Sequence, residues 1–159
     1  MNRSWRPAVT VAAVIERDGR FLLVEETTPS GIRLNQPAGH LEPGETLEQA
    51  AAREALEECG YEFMPEELVG TYLLSYTSDG NHDVSYLRFT FCGRIVDAPQ
   101  RPLDPDILRT VWMTRDEVAD CRERHRSPLL LQCIDDYLAG RRAPLSVLSS
   151  VATPKGSYG

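Results

Sequence analysis

Along the chain, short apolar runs alternate with clusters of glycine, proline and aspartate. Residues 9–16, VTVAAVIE, form a β-branched run long enough for a buried strand. Asp18-Gly19 predicts a tight hairpin into a second strand over residues 21–25. Residues 26–33, with Pro29, Ser30 and Gly31, read as a loop over the site, and residues 36–39 as a short strand ending in a turn. Farther on, residues 62–67 with Pro65 read as a loop and residues 68–77 as a strand. Residues 78–83 read as a turn, and residues 84–96 as a strongly alternating partner strand. That alternation puts Tyr86, Arg88, Thr90 and Cys92 on one face, with Leu87, Phe89 and Phe91 on the other. A proline-rich loop over residues 97–105 precedes a strand over residues 108–113. Thr114 with Glu117 caps a short helix, and Ser127-Pro128 starts another that runs to Ala139. From Arg141 the chain reads as a tail.

Between these strands lies one helix of a different character. Thr46 followed three residues later by Gln49 is a capping-box pattern, with Glu45 beside the positive helix end, and Gly60 stands where a left-handed cap would end the helix. At about 100° per residue, Glu54, Glu57 and Glu58 share one arc of roughly 100°. Ala51, Ala52, Ala55, Leu56 and Cys59 gather on a neighbouring stripe that can lie against a sheet and leave the acids at its edge. Like charges three and four apart repel, so this arrangement works against an isolated helix unless a hard divalent cation reverses the sign. Oxygen-only ligands suit Mg²⁺ or Mn²⁺. Arg53, four residues before Glu57, is placed to hold that carboxylate. A solvated acidic face is the bland alternative.

Composition narrows the picture. The 159 residues, 42% hydrophobic and 26% charged, suit a single domain over 1–148, with 149–159 as a C-terminal tail expected to be disordered. No apolar run reaches a membrane span and the first ten residues lack a secretory core, so no membrane partner is expected and the cytoplasm is the expected compartment. The four cysteines stand far apart, which reads as reduced, mostly buried thiols. A net charge of −7 argues against a nucleic-acid partner. Lys155 is the single lysine among 17 basic residues, so phosphate contacts must come from guanidinium groups.

The stretch GHLEPGETLEQAAAREALEECGY, with Gly39, Glu45, Arg53-Glu54, Glu57-Glu58 and Gly60 in register, resembles the full signature of the Nudix hydrolases. VTVAAVI, LLVEET, NQPAGHLE, LRF, DPDI, RSPLL and PLSVL extend the resemblance to the NudJ-type phosphatase subgroup over most of the chain. It implies an α/β fold, the Nudix α/β/α sandwich with a mixed β-sheet between helices. It implies Mg²⁺-dependent hydrolysis of nucleoside tri- and diphosphates, and of hydroxymethylpyrimidine and thiamine diphosphates, with release of inorganic phosphate. Two alternatives stand beside it. One is a pyrophosphatase cutting internally in dinucleotides, nucleotide sugars or damaged nucleotides, and the other is a nucleotide-sensing regulator without catalysis.

On this reading Glu54, Glu57, Glu58 and the Gly39 carbonyl form the metal set. Arg53 orients Glu57, and Glu45 braces the helix start, with Gly39 and Gly60 as structural members of the motif. Glu57, Asp104 or Asp106 accepts the proton of water; for the two aspartates, a capping or turn role is the equal alternative. Arg88 is the favoured phosphate contact, and Tyr76 or Phe89 could stack on a base, with core packing as the competing role for both aromatics. His40 stands where many family members have a second glycine, and contact with substrate, proton transfer and simple packing all remain open for it. Leu34 departs from the tryptophan usual in the subgroup. The expected partner is a small phosphate ester, bound by a monomer or homodimer.

Overall fold

The computed structural model describes residues 5–78 and 81–157. Strand β1 (Ala8–Val14) opens the chain, and β2 (Glu16–Arg17) turns into β3 (Arg20–Thr28) through Asp18 and Gly19, both at positive φ. Two successive left-handed residues match the twist of a tight hairpin. β3 then pairs with β4 (Gly31–Asn35) from Val24↔Asn35 to Thr28↔Gly31. The loop expected over residues 26–33 is therefore a hairpin. Pro29 and Ser30 form its tip, Thr28 Oγ1 accepts the Ser30 N–H (3.1 Å) and donates to the Gly31 carbonyl (2.6 Å), and Gly31 takes a φ of 103°. Breaker residues here turn a strand without ending it.

Strand β5 (Ala38–His40) leads into helix α1 (Leu47–Cys59), followed by β6 (Tyr61–Ser78) and β7 (Asn81–Asp97). The turn expected over residues 78–83 is in part strand, and residues 79 and 80 lie outside the described residues. Residues 62–67, read as a loop because of Pro65, belong to β6. Register shifts at Pro65/Glu67 and Leu68/Gly70 admit the proline, which bulges tolerate because a ladder position is skipped there.

β8 (Ile107–Thr114), α2 (Arg115–Ala119), a 3-10 turn (Arg122–Arg124), α3 (Leu129–Leu138) and β9 (Ala143–Pro144) complete the chain. Thr114 and Glu117 form the capping box of α2, and the Ser127 hydroxyl accepts the Leu129 N–H at the start of α3. The chain after Arg141 is not a bare tail. Ala143 and Pro144 pair with β6 at Leu68 and Glu67, and Leu145 and Leu148 pack on the core before residues 149–157, which carry no helix or strand.

One sheet has the order β5-β1-β7-β6-β9, with β1 parallel to β7 and the other pairs antiparallel; in the second, β3 pairs with β2, β4 and β8. Period-two alternation divides the apolar strands between two cores. Leu22 and Val24 of β3 face Ala50, Ala51, Ala55 and Cys59 of α1, while Phe21 and Leu23 face Leu130, Cys133 and Ile134 of α3. Helices thus cover both faces of the two sheets, one mixed and one antiparallel, in the expected sandwich architecture. Among the described residues no helix is long and apolar enough to cross a membrane.

Candidate active site

The site is assembled around α1, and the helix ends explain its placement. Thr46 and Gln49 exchange side-chain and backbone hydrogen bonds at 3.0 and 3.1 Å, fixing the first turn. Gly60, at φ 75°, closes the last turn by donating its N–H to the Leu56 carbonyl (3.0 Å). Between these ends the buried stripe differs from the one read from the sequence. Ala52 and Leu56 are only half-buried, whereas Glu54 and Glu58 are among the buried residues. Two of the acids therefore lie under the sheet edge, where loss of hydration opposes their charge.

Arg53 is the hub. Its Nε donates to Glu45 Oε2 (2.6 Å) and its Nη2 to Glu45 Oε1 (3.0 Å), a two-pronged pair. Nη1 reaches Glu54 (2.8 Å) and Glu57 (3.2 Å), and Nη2 also meets the His40 carbonyl (2.9 Å). Glu45 additionally accepts the Glu42 N–H (2.9 Å), so the loop before α1 is tied to the same guanidinium, which holds Glu45 below the usual carboxylate range.

Carboxylate oxygens of Glu54, Glu57 and Asp104 lie within 4.8 Å of one another. The Asp104 N–H donates to the Glu57 carbonyl (2.9 Å), which pins the loop acid to the helix. Asp106 is exposed and stands outside this group. Glu58 points elsewhere in the same region, accepting the Ala38 N–H at 2.8 Å. Burial pushes the Glu58 carboxyl up to about 9 and Glu54 up to about 7, the latter against the pull of Arg53 and with a further push from Glu57 and Asp104. Gly39 lies so close that a β-carbon there would collide with the Glu54 carboxylate. Hard oxygen donors that converge, with burial that penalises their unneutralised charge, fit a divalent cation.

On the other side of Ala38 and Gly39 opens a cavity of about 270 Å³. Register explains one wall: His40 of β5, Thr10 of β1 and Arg88 of β7 stand in a row across the sheet, with Tyr86 two residues before Arg88. Tyr86 meets Tyr76 edge to face at 6.2 Å and His40 at 6.3 Å. Arg88 is only 7% exposed, and its guanidinium donates to Gln36 Oε1 (3.3 Å). Glu26, Asn35, Arg126 and Ser127 form the opposite wall. Burial raises the Glu26 carboxyl despite Arg126 nearby.

Arg88, Tyr76 and His40 thus share one cavity. Phe89 packs against the core cluster under α1, on the other face of β7, and does not line the cavity. Thr10, Glu26, Asn35, Tyr86 and Arg126 were not singled out as candidates from the sequence. The alternation that places Arg88 also places Tyr86, so that residue had a signal; Thr10 joins them only through the parallel β1/β7 pairing, which leaves no local mark.

Comparison with known proteins bears on this geometry. The NUDIX domain family model matches residues 4–132. Phosphatase NudJ of Escherichia coli K12 is 36% identical over 151 residues, covering 94% of this chain and 95% of that protein, and the Shigella flexneri protein of the same name matches equally. Among solved structures, a Nudix hydrolase from Nitrosomonas europaea superimposes with a TM-score of 0.86 at 51% identity, covering 92% of this chain and 98% of the other. The MutT protein of Methanosarcina mazei, 19% identical with a TM-score of 0.69 over 88% of this chain and 99% of that one, shares the fold. The chain that places these acids and this arginine on α1 belongs to the Nudix family and is a Nudix hydrolase.

Proposed function

We propose that this hydrolase cleaves terminal phosphoanhydride bonds of nucleoside tri- and diphosphates, and of hydroxymethylpyrimidine or thiamine diphosphate, releasing inorganic phosphate in the cytoplasm. The observation that carries the reading is the convergence of Glu54, Glu57 and Asp104 beside a cavity walled by Arg88, Arg126, Tyr76 and Tyr86. Similarity to the NudJ phosphatases supports the terminal cut.

Glu54, Glu57 and Asp104 would hold Mg²⁺ or Mn²⁺, with Glu58 and the Gly39 carbonyl as further members of the set. When bound, such a cation offsets the charge on phosphate oxygens and acidifies water. Water oxygen attacks phosphorus, the bridging P–O bond breaks, and the leaving phosphate carries away the electron pair. Glu57 or Asp104 accepts the proton of that water. Arg53 fixes the Glu57 carboxylate through Nη1, and Glu45 keeps Arg53 from swinging away. Arg88 and Arg126 supply guanidinium donors to phosphate oxygens, while Tyr76 and Tyr86 offer an aromatic wall to a ring, with His40 at its edge.

The test is a panel of di- and triphosphates with Mg²⁺, read by phosphate release and by product masses. Free phosphate with a product shortened by one phosphate is expected. A pair of phosphomonoesters from dinucleotides or nucleotide sugars, with no free phosphate, would replace this reading by an internal cut.

A further inference from the structure

Glu25 belongs to neither the carboxylate group nor the cavity, yet it is 8% exposed and fully engaged. Arg109 donates from Nε to Oε2 (2.7 Å) and from Nη2 to Oε1 (3.0 Å), and Arg124 Nη2 donates to Oε1 (2.6 Å). The Arg109 half stays within the sheet, because Glu25 and Arg109 are cross-strand partners of β3 and β8. The Arg124 half leaves the sheet. It reaches 99 residues along the chain to the strap of residues 122–128, which joins α2 to α3.

That strap brings Arg126 and Ser127 to the cavity, and further ties help to hold it. The Arg126 N–H donates to the Leu34 carbonyl (2.8 Å), His125 Nε2 meets the Val118 carbonyl (2.8 Å), and Leu34 bridges His125. A register shift falls between Glu25 and Glu26, so adjacent acids of one strand serve two arginines of one strap: Glu25 takes Arg124 and Glu26 faces Arg126 at 3.5 Å. Bulges re-aim neighbouring side chains in this way beside binding sites. Arg126 and Ser127 also border a second cavity, lined as well by Arg122 and His125, so the strap is a wall common to both spaces.

We propose that Glu25 is a positioning residue for substrate: through Arg124 it fixes the strap, and through the strap the cavity wall formed by Arg126 and Ser127. The inference rests on the reading of this cavity as the substrate site. Its two halves separate by mutation, since Arg124→Gln removes the contact to the strap and Arg109→Gln the one within the sheet.

The experiment measures steady-state hydrolysis of ADP together with amide hydrogen exchange at Arg126. Arg124→Gln and Glu25→Gln are expected to raise KM about 5- to 10-fold with kcat within about 2-fold, the signature of lost binding without lost chemistry. Both are expected to quicken Arg126 exchange. The double variant should be no worse than Glu25→Gln alone, and Arg109→Gln should leave KM within about 2-fold of wild type. An unchanged KM and unchanged Arg126 exchange in Arg124→Gln would overturn the proposal, as would an equal rise in KM for Arg109→Gln. Should Glu25→Gln fail to fold, Arg124→Gln decides the matter, since it truncates a side chain already 40% exposed. A wild-type protein that hydrolyses no nucleoside diphosphate refutes the substrate reading, and the Arg126 exchange rate in Arg124→Gln then decides the clasp by itself.

Discussion

Glu25 and Glu58 are withdrawn from solvent to nearly the same degree, 8% and 6% exposed, and they hold their charge in opposite ways. Two guanidinium groups meet Glu25 and keep its carboxyl below the ordinary range. Among the described residues Glu58 has one backbone N–H for a partner, and it lies near Glu54, Glu26 and Asp104, so burial and like charge drive it up. Burial alone therefore does not say what a carboxylate is for. A buried acid whose charge the protein already answers is architecture, and one whose charge is left unanswered is shaped for something brought from outside.

The strongest way to break this comparison is to neutralise one of the acids that converge at the site. Glu57→Gln keeps shape and removes charge, so turnover should fall by about 100-fold or more while the melting temperature moves by no more than a few degrees. Near-native kcat/KM in that variant would remove Glu57 from the chemistry.

Cation removal comes next. Treatment with a chelator should abolish turnover, and returning Mg²⁺ should restore it and raise the melting temperature through preferential binding to the folded state. The rise should be larger at pH 8 than at pH 5, because Glu54 and Glu58 must ionise before they can serve a cation. An equal rise at both pH values would contradict the assignment.

A subtler contrast appears without metal. Folded-state values for Glu54 and Glu58 are raised above 4.5, so the stability they confer is complete below about 4.5 and is lost as pH climbs through about 7 and about 9. Glu25 behaves in reverse: its folded-state value is lowered, so its contribution is present above 4.5 and disappears as pH falls through the depressed value. Denaturant titrations of metal-free protein from pH 5 to pH 9 should show wild type weakening on the alkaline side. Glu58→Gln keeps an acceptor for the Ala38 N–H and should flatten that slope. A slope unchanged by the substitution would trace the alkaline loss to other groups.

How much of this was legible beforehand depends on the range of the signal. The caps of α1 are written within a few residues, as Thr46, Gln49 and Gly60, and so is the Asp18-Gly19 hairpin. The β3/β4 hairpin was obscured because Pro29, Ser30 and Gly31 look alike whether they end a strand or turn it, and only the pairing of Glu26 with Arg33 and Thr27 with Ile32 distinguishes the two. Pro65 misled for a related reason, since a bulge in β6 accommodates what an unbroken ladder would reject. At the site, the helix period placed the acids of α1 near one another, but it could not tell that Asp104, and not Asp106, meets Glu54 and Glu57. That choice is made by a backbone hydrogen bond from Asp104 to Glu57, across a loop of high proline content. Arg126 was visible only as part of a family-like segment, because the strap reaches its wall through contacts almost a hundred residues apart.

The short pairing of Ala143 and Pro144 with Glu67 and Leu68 has a consequence for solution behaviour. β6 would otherwise offer its outer row of amides and carbonyls to any passing extended chain, and a proline in the covering segment cannot donate onward to a further strand. Shortening the polypeptide after Gly140 should leave Glu54, Glu57 and Asp104 in place and yet make the protein prone to self-association, with turbidity and light scattering rising before turnover declines.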